Sequence, residues 1–440
     1  MIRRILFHYF PLLLLFTGIY YELAMQTFKM NVYGPYDSPI VWMGAGLLTC
    51  VAAWCLLAFQ PKRAVDHYPI GRNRVLMILW GVFALGSLLM AAKLSAIFAT
   101  YPVDAQYSDI IPSLELYVKR WMAGEKVYAP FQFPTWVVLP TYFPLLWMPY
   151  GFSEYFQIDY RWTAYIVFLL AVFLYFIRMS KFQMPIWELL IKAILPFVLI
   201  NYYIVNVDKV FGHAVELLPV GFYLLLTLTL FHRSTFIMGL GILLCLLSRY
   251  AFTFWLPIYL LIFWIEKGFM PAFKVGLWVL AGVLLLYVLP FLAKDWTILT
   301  NGLAYYSKTA EGQWMIQSWQ EEGQVPHHLN KGLSFAMYFY DVHEYEVMDR
   351  LAMNRKAHLV ACGIAAVLLF LGYLLGRKRG LNVRLYMLVG LKFYLVIFYG
   401  FFYVPFSYLY MLPFFLSLAI VYELSFLPSR HSGAVAPLSE

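Results

Sequence analysis

Charge is what this chain is shortest of. Only 12% of its 440 residues are Asp, Glu, Lys or Arg, about half the roughly 25% of an ordinary soluble domain. Too few polar groups are present to cover a water-facing surface, which excludes a soluble globular fold. Cysteine is scarce as well: Cys50, Cys55, Cys245 and Cys362 all lie inside apolar runs, without the spacing of metal ligands. They exclude a disulfide scaffold and read as small core residues. A Gly-rich Walker-type loop is absent, and with it the usual backbone cradle for a nucleotide. There is no internal repeat of fixed period, no low-complexity tract, and no linker dividing soluble domains. Lys and Arg exceed Asp and Glu by nine (32 against 23), but they fall in short clusters between apolar runs. That arrangement writes membrane topology and argues against nucleic acid as a partner.

What is abundant is apolar surface: 63% of residues are hydrophobic, 20% aromatic, and the mean hydropathy is +0.72. The class is an all-α polytopic membrane protein. Runs of about the ~20 residues that a bilayer core requires are expected near 5–24, 40–59, 75–98, 160–177, 185–206, 213–231, 235–248, 251–265, 269–292, 358–376, 383–402 and 406–423. Arg3 and Arg4 precede the first run, and no small-residue cleavage site follows it, so a retained anchor is expected. If those arginines are cytoplasmic, the cluster Lys62, Arg63, Arg72 and Arg74 is cytoplasmic too, as the positive-inside rule asks. The interval 133–152 is apolar but carries Pro134, Pro140, Pro144 and Pro149. Treating it as re-entrant or surface-lying keeps Arg178, Lys181, Arg233, Lys267, Lys274 and the Arg377-Lys378-Arg379 cluster inside. About twelve spans result, with both termini cytoplasmic.

Two polar intervals then face the outer side, 99–159 and 294–357. The first brings Asp104 and Asp109 just past the end of a span. Pro112 then opens an amphipathic stretch with Leu114, Tyr117, Val118, Trp121 and Met122 on one side and Glu115, Lys119 and Arg120 on the other, expected to lie on the membrane. The second is much longer than the roughly 2–8 residues that join helices, so it is expected to cap the outer face and enclose a site with the first. The chain divides into 1–74, two N-terminal spans and a cytoplasmic loop; 75–427, the main transmembrane domain; and 428–440, a tail expected to be disordered.

Several local patterns occur in a fixed order: Asp109 after an outward-going span, Ala123-Gly124 and Tyr128 at the end of the amphipathic stretch, and Tyr142-Phe143-Pro144-Leu145. Further on come Gly212-His213-Ala214-Val215, Ser248-Arg249, Asn330-Lys331-Gly332-Leu333-Ser334 and Pro405-Phe406-Ser407-Tyr408. Together these resemble the GT-C superfamily of membrane glycosyltransferases, and within it the bacterial polyprenyl-phosphate-mannose-type transferases, glycosyltransferase family 87. Gly212-His213 and Ser248-Arg249 depart from the family's usual Gly-Gln and Lys-Pro. The likeness spans about 75–430, which makes the two N-terminal helices look like an addition. It implies a GT-C-like bundle in a bacterial-type inner membrane with a periplasmic site. The donor would be a polyprenyl-phosphate sugar, mannose-like or a pentose, and the acceptor a lipid or glycan.

In the inverting transfer so implied, a carboxylate takes the proton of the acceptor hydroxyl as its oxygen attacks the anomeric carbon. Asp109 or Asp104 could be that base. Cations near the surface would offset the charge developing on the carrier phosphate: Arg249 and Lys331, with Lys119, Arg120 and Lys209 behind them. His213 and Glu216, a helical turn apart, could touch substrate, as could His327, His328, Asn330 and Tyr142. No side-chain cluster demands a metal, although the two adjacent histidines could supply a ligand, and no cofactor is expected. Each position also has a structural alternative. Asp109 could cap the helix after it, Arg249 could reach for headgroups, and His213 with Glu216 could be a packing pair. Two other classes fit a polytopic chain. A transporter or flippase would place ionisable residues at mid-depth, and a polymerase or ligase of lipid-linked glycans would share the outer loops.

Overall fold

The computed structural model describes residues 2–27, 33–59, 71–133, 137–182, 184–316, 320 and 324–426. The side chains of Arg3 and Arg4, with Lys62, Arg63, Pro134 and the tail expected to be disordered, lie outside the described residues. The chain runs through α1 (Ile2–Thr27), α2 (Gly34–Phe59), α3 (Arg72–Thr100) and α4 (Ile110–Met122). A small antiparallel hairpin follows, β1 (Phe131–Gln132) against β2 (Val137–Val138), with Phe131 opposite Val138. Next come α5 (Pro144–Trp147), α6 (Gly151–Phe156), α7 (Tyr160–Met179), α8 (Ile186–Val207), α9 (Lys209–His213) and α10 (Leu217–Thr229). They lead to α11 (Thr235–Leu246), α12 (Trp255–Lys267) and α13 (Phe269–Val283), which continues as a π-helical Leu284–Leu292. The last group is α14 (Thr297–Trp314), α15 (His327–Lys331), α16 (Ala336–Tyr340), α17 (Val347–Arg377), α18 (Val383–Gly400) and α19 (Met411–Glu423).

Among the described residues, seven helical stretches are long and apolar enough to cross a bilayer: 34–57, 72–100, 160–179, 186–207, 269–292, 347–377 and 383–400. This is an all-α membrane protein. The outermost helices carry their apolar side chains outward, as lipid contact requires: Met77 and Leu88 on α3 and Leu375 on α17 are at least 70% exposed. By contrast α19 is buried along its whole length and α18 nearly so, the pattern of helices enclosed by others.

Four expected spans are shorter than their apolar runs. α10, α11 and α12 have 13, 12 and 13 residues, and α19 has 13, extended by a 3-10 turn at Ser407–Tyr410; none reaches the ~20 residues of a bilayer core. The reason is local. Ala214 is extended and interrupts the chain before α10, and Arg249 is extended between α11 and α12. Among its described residues, the proline-rich 133–152 contains no long helix, only part of the hairpin, α5, a turn at Met148–Tyr150 and the start of α6, since Pro140, Pro144 and Pro149 each lack a helical donor.

The N-terminal helices pack on later helices of the bundle. α1 packs on α2, α8 and α19, and α2 on α18. Halfway along α18, the fully buried Lys392 ammonium donates to both carboxylate oxygens of Glu22 on α1, at 2.8 and 2.7 Å, and to the Pro413 carbonyl at 3.0 Å. Ionisable groups are therefore not confined to span ends, as the apolar runs suggested. A buried charge is tolerated only when paired and fully hydrogen-bonded, and this one is.

Candidate active site

The loop after α3 is fixed by short polar contacts. Asp104 accepts the Gln106 N–H on Oδ1 at 2.8 Å and closes a tight turn. Ser108 Oγ donates to the His213 carbonyl at 3.1 Å, pinning the loop to the end of α9. Asp109 then occupies the cap position of α4, yet its side chain makes no capping bond. Its carboxylate is thus left unused by the helix that follows it. Its side chain is exposed, but the protein groups crowded around it partly desolvate it and raise its pKa above the usual carboxylate value.

α4 buries Ile111, Leu114, Tyr117 and Val118 against α5, α6 and the turn between them. The apolar face expected to rest on the membrane is therefore spent largely on the protein itself, while Trp121 and Met122 stay exposed. Gly124, at φ +72°, ends the helix in the left-handed conformation that glycine adopts without strain. Arg120 holds the returning chain by the carbonyls of Val127, Ala129 and Pro130. Tyr128 can then donate to the Tyr142 carbonyl at 2.9 Å, while the Tyr142 N–H donates to Tyr117 Oη at 3.1 Å. One step further, the Leu145 N–H donates to the Leu247 carbonyl at 3.0 Å. That bond draws the 142–146 segment against the break between α11 and α12, where Arg249 stands.

A narrow cleft results, lined by Ile110, Leu114, Tyr142, Leu146, Glu216, Arg249 and Tyr408, with Ala214 and Val215. In this conformation it has room for about one water molecule, so a larger ligand enters only if its walls part. Arg249 donates through one terminal nitrogen to Glu216 Oε2. Its side chain is 17% exposed and that of Glu216 only 2%, so Arg249 is engaged inside the protein and does not reach for headgroups. Arg249 Nε and Glu216 Oε1 are both buried without a partner among the described residues.

Of the residues singled out in the sequence, the structure brings Tyr142, Glu216 and Arg249 into the cleft, with Asp109 adjoining it through Ile110. The rest fall outside its lining. Lys119 pairs with Glu115 on the exposed side of α4, and the terminal nitrogens of Arg120 are taken by carbonyls. His213 does not share a helical face with Glu216, because the extended Ala214 separates α9 from α10. Its ring meets Tyr101 and Tyr107 instead, and burial, with Arg161 and Lys209 nearby, lowers its pKa. Gly212 is needed there because a Cβ would lie 2.7 Å from the Tyr101 ring.

His327, His328, Asn330 and Lys331 form α15 in the interval expected as a cap. Burial, aided by its neighbours His327 and Lys331, lowers His328 to about 4, so the positive charge of α15 rests on the exposed Lys331. His328 packs on Phe406 with ring centroids 4.8 Å apart, and Phe406 stacks on Tyr408 at 5.7 Å, which links α15 to the cleft wall. The two polar intervals also touch directly: Tyr305 Oη donates to the Val137 carbonyl at 3.2 Å. Among the described residues no group of three or more His, Cys, Asp or Glu side chains is arranged to hold a metal ion.

Sequence reasoning passed over two residues. Tyr408 lay within the Pro-Phe-Ser-Tyr motif, and an aromatic ring after a proline-broken turn was the available signal. Arg161, 4% exposed, donates to the carbonyls of Tyr101 at 2.8 Å, Gly212 at 2.9 Å and Phe98 at 3.2 Å and pairs with Asp159; only the Asp-x-Arg spacing before α7 hinted at it. Comparison with family models, curated proteins and solved structures found no match for this chain.

Proposed function

We propose that this protein is an integral membrane glycosyltransferase that moves a sugar from a polyprenyl-phosphate carrier to a lipid or glycan acceptor, on the face where α4 and α15 lie. One observation carries the reading: the Asp109 carboxyl caps no helix and adjoins a cleft of tyrosines, a glutamate and an arginine. A general base needs such freedom, together with a pKa moved up toward the working pH. Asp104 is the weaker candidate because its carboxylate closes its own turn.

In this mechanism Asp109 takes the acceptor proton, the acceptor oxygen bonds to the anomeric carbon, and the carrier phosphate leaves with the bonding electrons. The rings of Tyr142 and Tyr408 offer faces for the sugar. Arg249 has its charge matched by Glu216, which leaves Lys331 as the cation for the phosphate. About twelve membrane crossings with both termini cytoplasmic would put the site on the outer side.

Lys392 is the feature that would favour a transporter, being ionisable and midway along its helix. All three of its hydrogen bonds are made within the protein, which suits a fixed tie better than a carrier site. The test is single-turnover transfer from a radiolabelled polyprenyl-phosphate sugar by purified variants. Asp109→Asn should lose about 10²–10⁴-fold in rate and still bind donor, with a smaller loss in Asp104→Asn. Wild-type rates in both variants would remove the reading.

A further inference from the structure

The Arg249–Glu216 pair is only half made. Elsewhere in the chain Arg178 meets Glu423 side-on, Nε to Oε1 at 2.6 Å and a terminal nitrogen to Oε2 at 3.2 Å, the two-pronged arrangement that uses both partners fully. Arg249 and Glu216 make a single contact, and their remaining inward groups, one N–H and one carboxylate oxygen, are buried and unmatched. The hydroxyl of Tyr150, also buried without a partner, lies within electrostatic reach of both. Unmatched buried polar atoms are costly, and the arginine and the glutamate that carry two of them line a cleft rather than a sealed core.

The chemistry of the two free groups is complementary. Arg249 Nε–H needs an acceptor and Glu216 Oε1 needs a donor, and a single hydroxyl group is both at once. An anionic oxygen would satisfy the arginine alone and would be repelled by the carboxylate. The pair is also neutral as a unit, so it adds no net charge with which to hold a phosphate. We infer that Arg249 and Glu216 together form a receptor for one hydroxyl of the sugar, a specificity-determining element, rather than a phosphate clamp. This rests on the reading that the cleft takes a glycosyl group.

The experiment uses the full chain in detergent and two probes. The first is a set of methyl hexosides, intact and singly deoxygenated, read by saturation-transfer NMR. The second is the bare polyprenyl phosphate, read by direct binding. Wild-type protein should bind intact methyl hexosides and lose about tenfold or more in affinity for one deoxy analogue, as expected for a hydroxyl held by charged partners. Glu216→Gln and Arg249→Lys should erase that discrimination and change bare-carrier affinity less than threefold. Glu216→Asp keeps the negative charge opposite Arg249 and withdraws the carboxylate by one methylene. It should fold as wild type, by thermal melting, and also lose the discrimination. The receptor is refuted if the variants keep the deoxy-sugar discrimination, if they lose bare-carrier affinity as strongly as hexoside affinity, or if wild-type protein binds no hexoside. Failure of the glycosyltransferase reading shows separately, as wild-type protein that discriminates among hexosides yet transfers no sugar from the polyprenyl-phosphate donor.

Discussion

At the scale of single residues, Asp104 and Asp109 differ in what each carboxylate is left to do. The sequence offered both, at the same distance past a span to within a few residues, and nothing in their neighbours separates a turn-closing carboxylate from a free one. The separation appears only when the Gln106 N–H is found on Asp104 and no capping bond on Asp109. Partial desolvation by its neighbours raises the pKa of the exposed Asp109 carboxyl, and this has a kinetic sign. A base works deprotonated, so transfer should fall as pH drops through the raised value, placing the acid limb of the kcat/KM profile above the ordinary Asp value of about 3.9. The limb should vanish from the residual activity of Asp109→Asn. A limb at the ordinary value, or one unchanged in the variant, would assign the ionisation to another group. Arg249 and Glu216 were each legible as polar residues in apolar runs, but their pairing was not, because 33 residues separate them and only tertiary packing brings them together.

At the scale of elements, the amphipathic pattern of α4 was legible and its partner was not. Periodicity tells which residues share a face, but an apolar face buries equally well against lipid or protein, and here Leu114, Tyr117 and Val118 chose protein. The small-Gly-then-Tyr pattern acquires a cause: Gly124 reverses the chain so that Tyr128 can reach the Tyr142 carbonyl. The cleft depends as much on an element that sequence reading left aside. Arg161, on α7, joins the end of α3 to α9 through three carbonyls and pairs with Asp159, and so fixes the loop from which Asp109 projects. Lysine carries its charge on a single point and cannot span that set. Arg161→Lys should cost about 2–4 kcal/mol, from buried carbonyls left unmatched. It should also speed hydrogen exchange across 101–113 and 209–216, measured in detergent by mass spectrometry. Wild-type melting and unchanged exchange would mean the loop is held by something else.

At the scale of the whole molecule, composition alone established an all-α membrane protein, because no amount of rearrangement gives 63% apolar residues a water-soluble surface. The number of crossings was less legible, since an apolar run that is broken by an extended residue and surrounded by other helices looks in sequence like one that faces lipid. The N-terminal helices illustrate the same limit: nothing in their sequence ties them to the later helices, yet Glu22 on α1 accepts from the buried Lys392 of α18. What charge placement does predict is sidedness. Arg72 and Arg74, exposed in the first turn of α3, should be cytoplasmic, and α14, which touches the hairpin beside α4, should be outside. The four native cysteines are free, and none of their side chains is exposed, so a surface cysteine can be distinguished from them. Asn73→Cys and Thr309→Cys, both at exposed positions, should respond oppositely to an impermeant thiol reagent in intact cells: no labelling at 73 until the membrane is opened, and full labelling at 309. The reverse pattern would turn Asp109 to the cytoplasm, away from any acceptor on the outer face. Labelling of both from one side would mean an even number of crossings between positions 73 and 309, which would overturn the count that puts the site on the outer face.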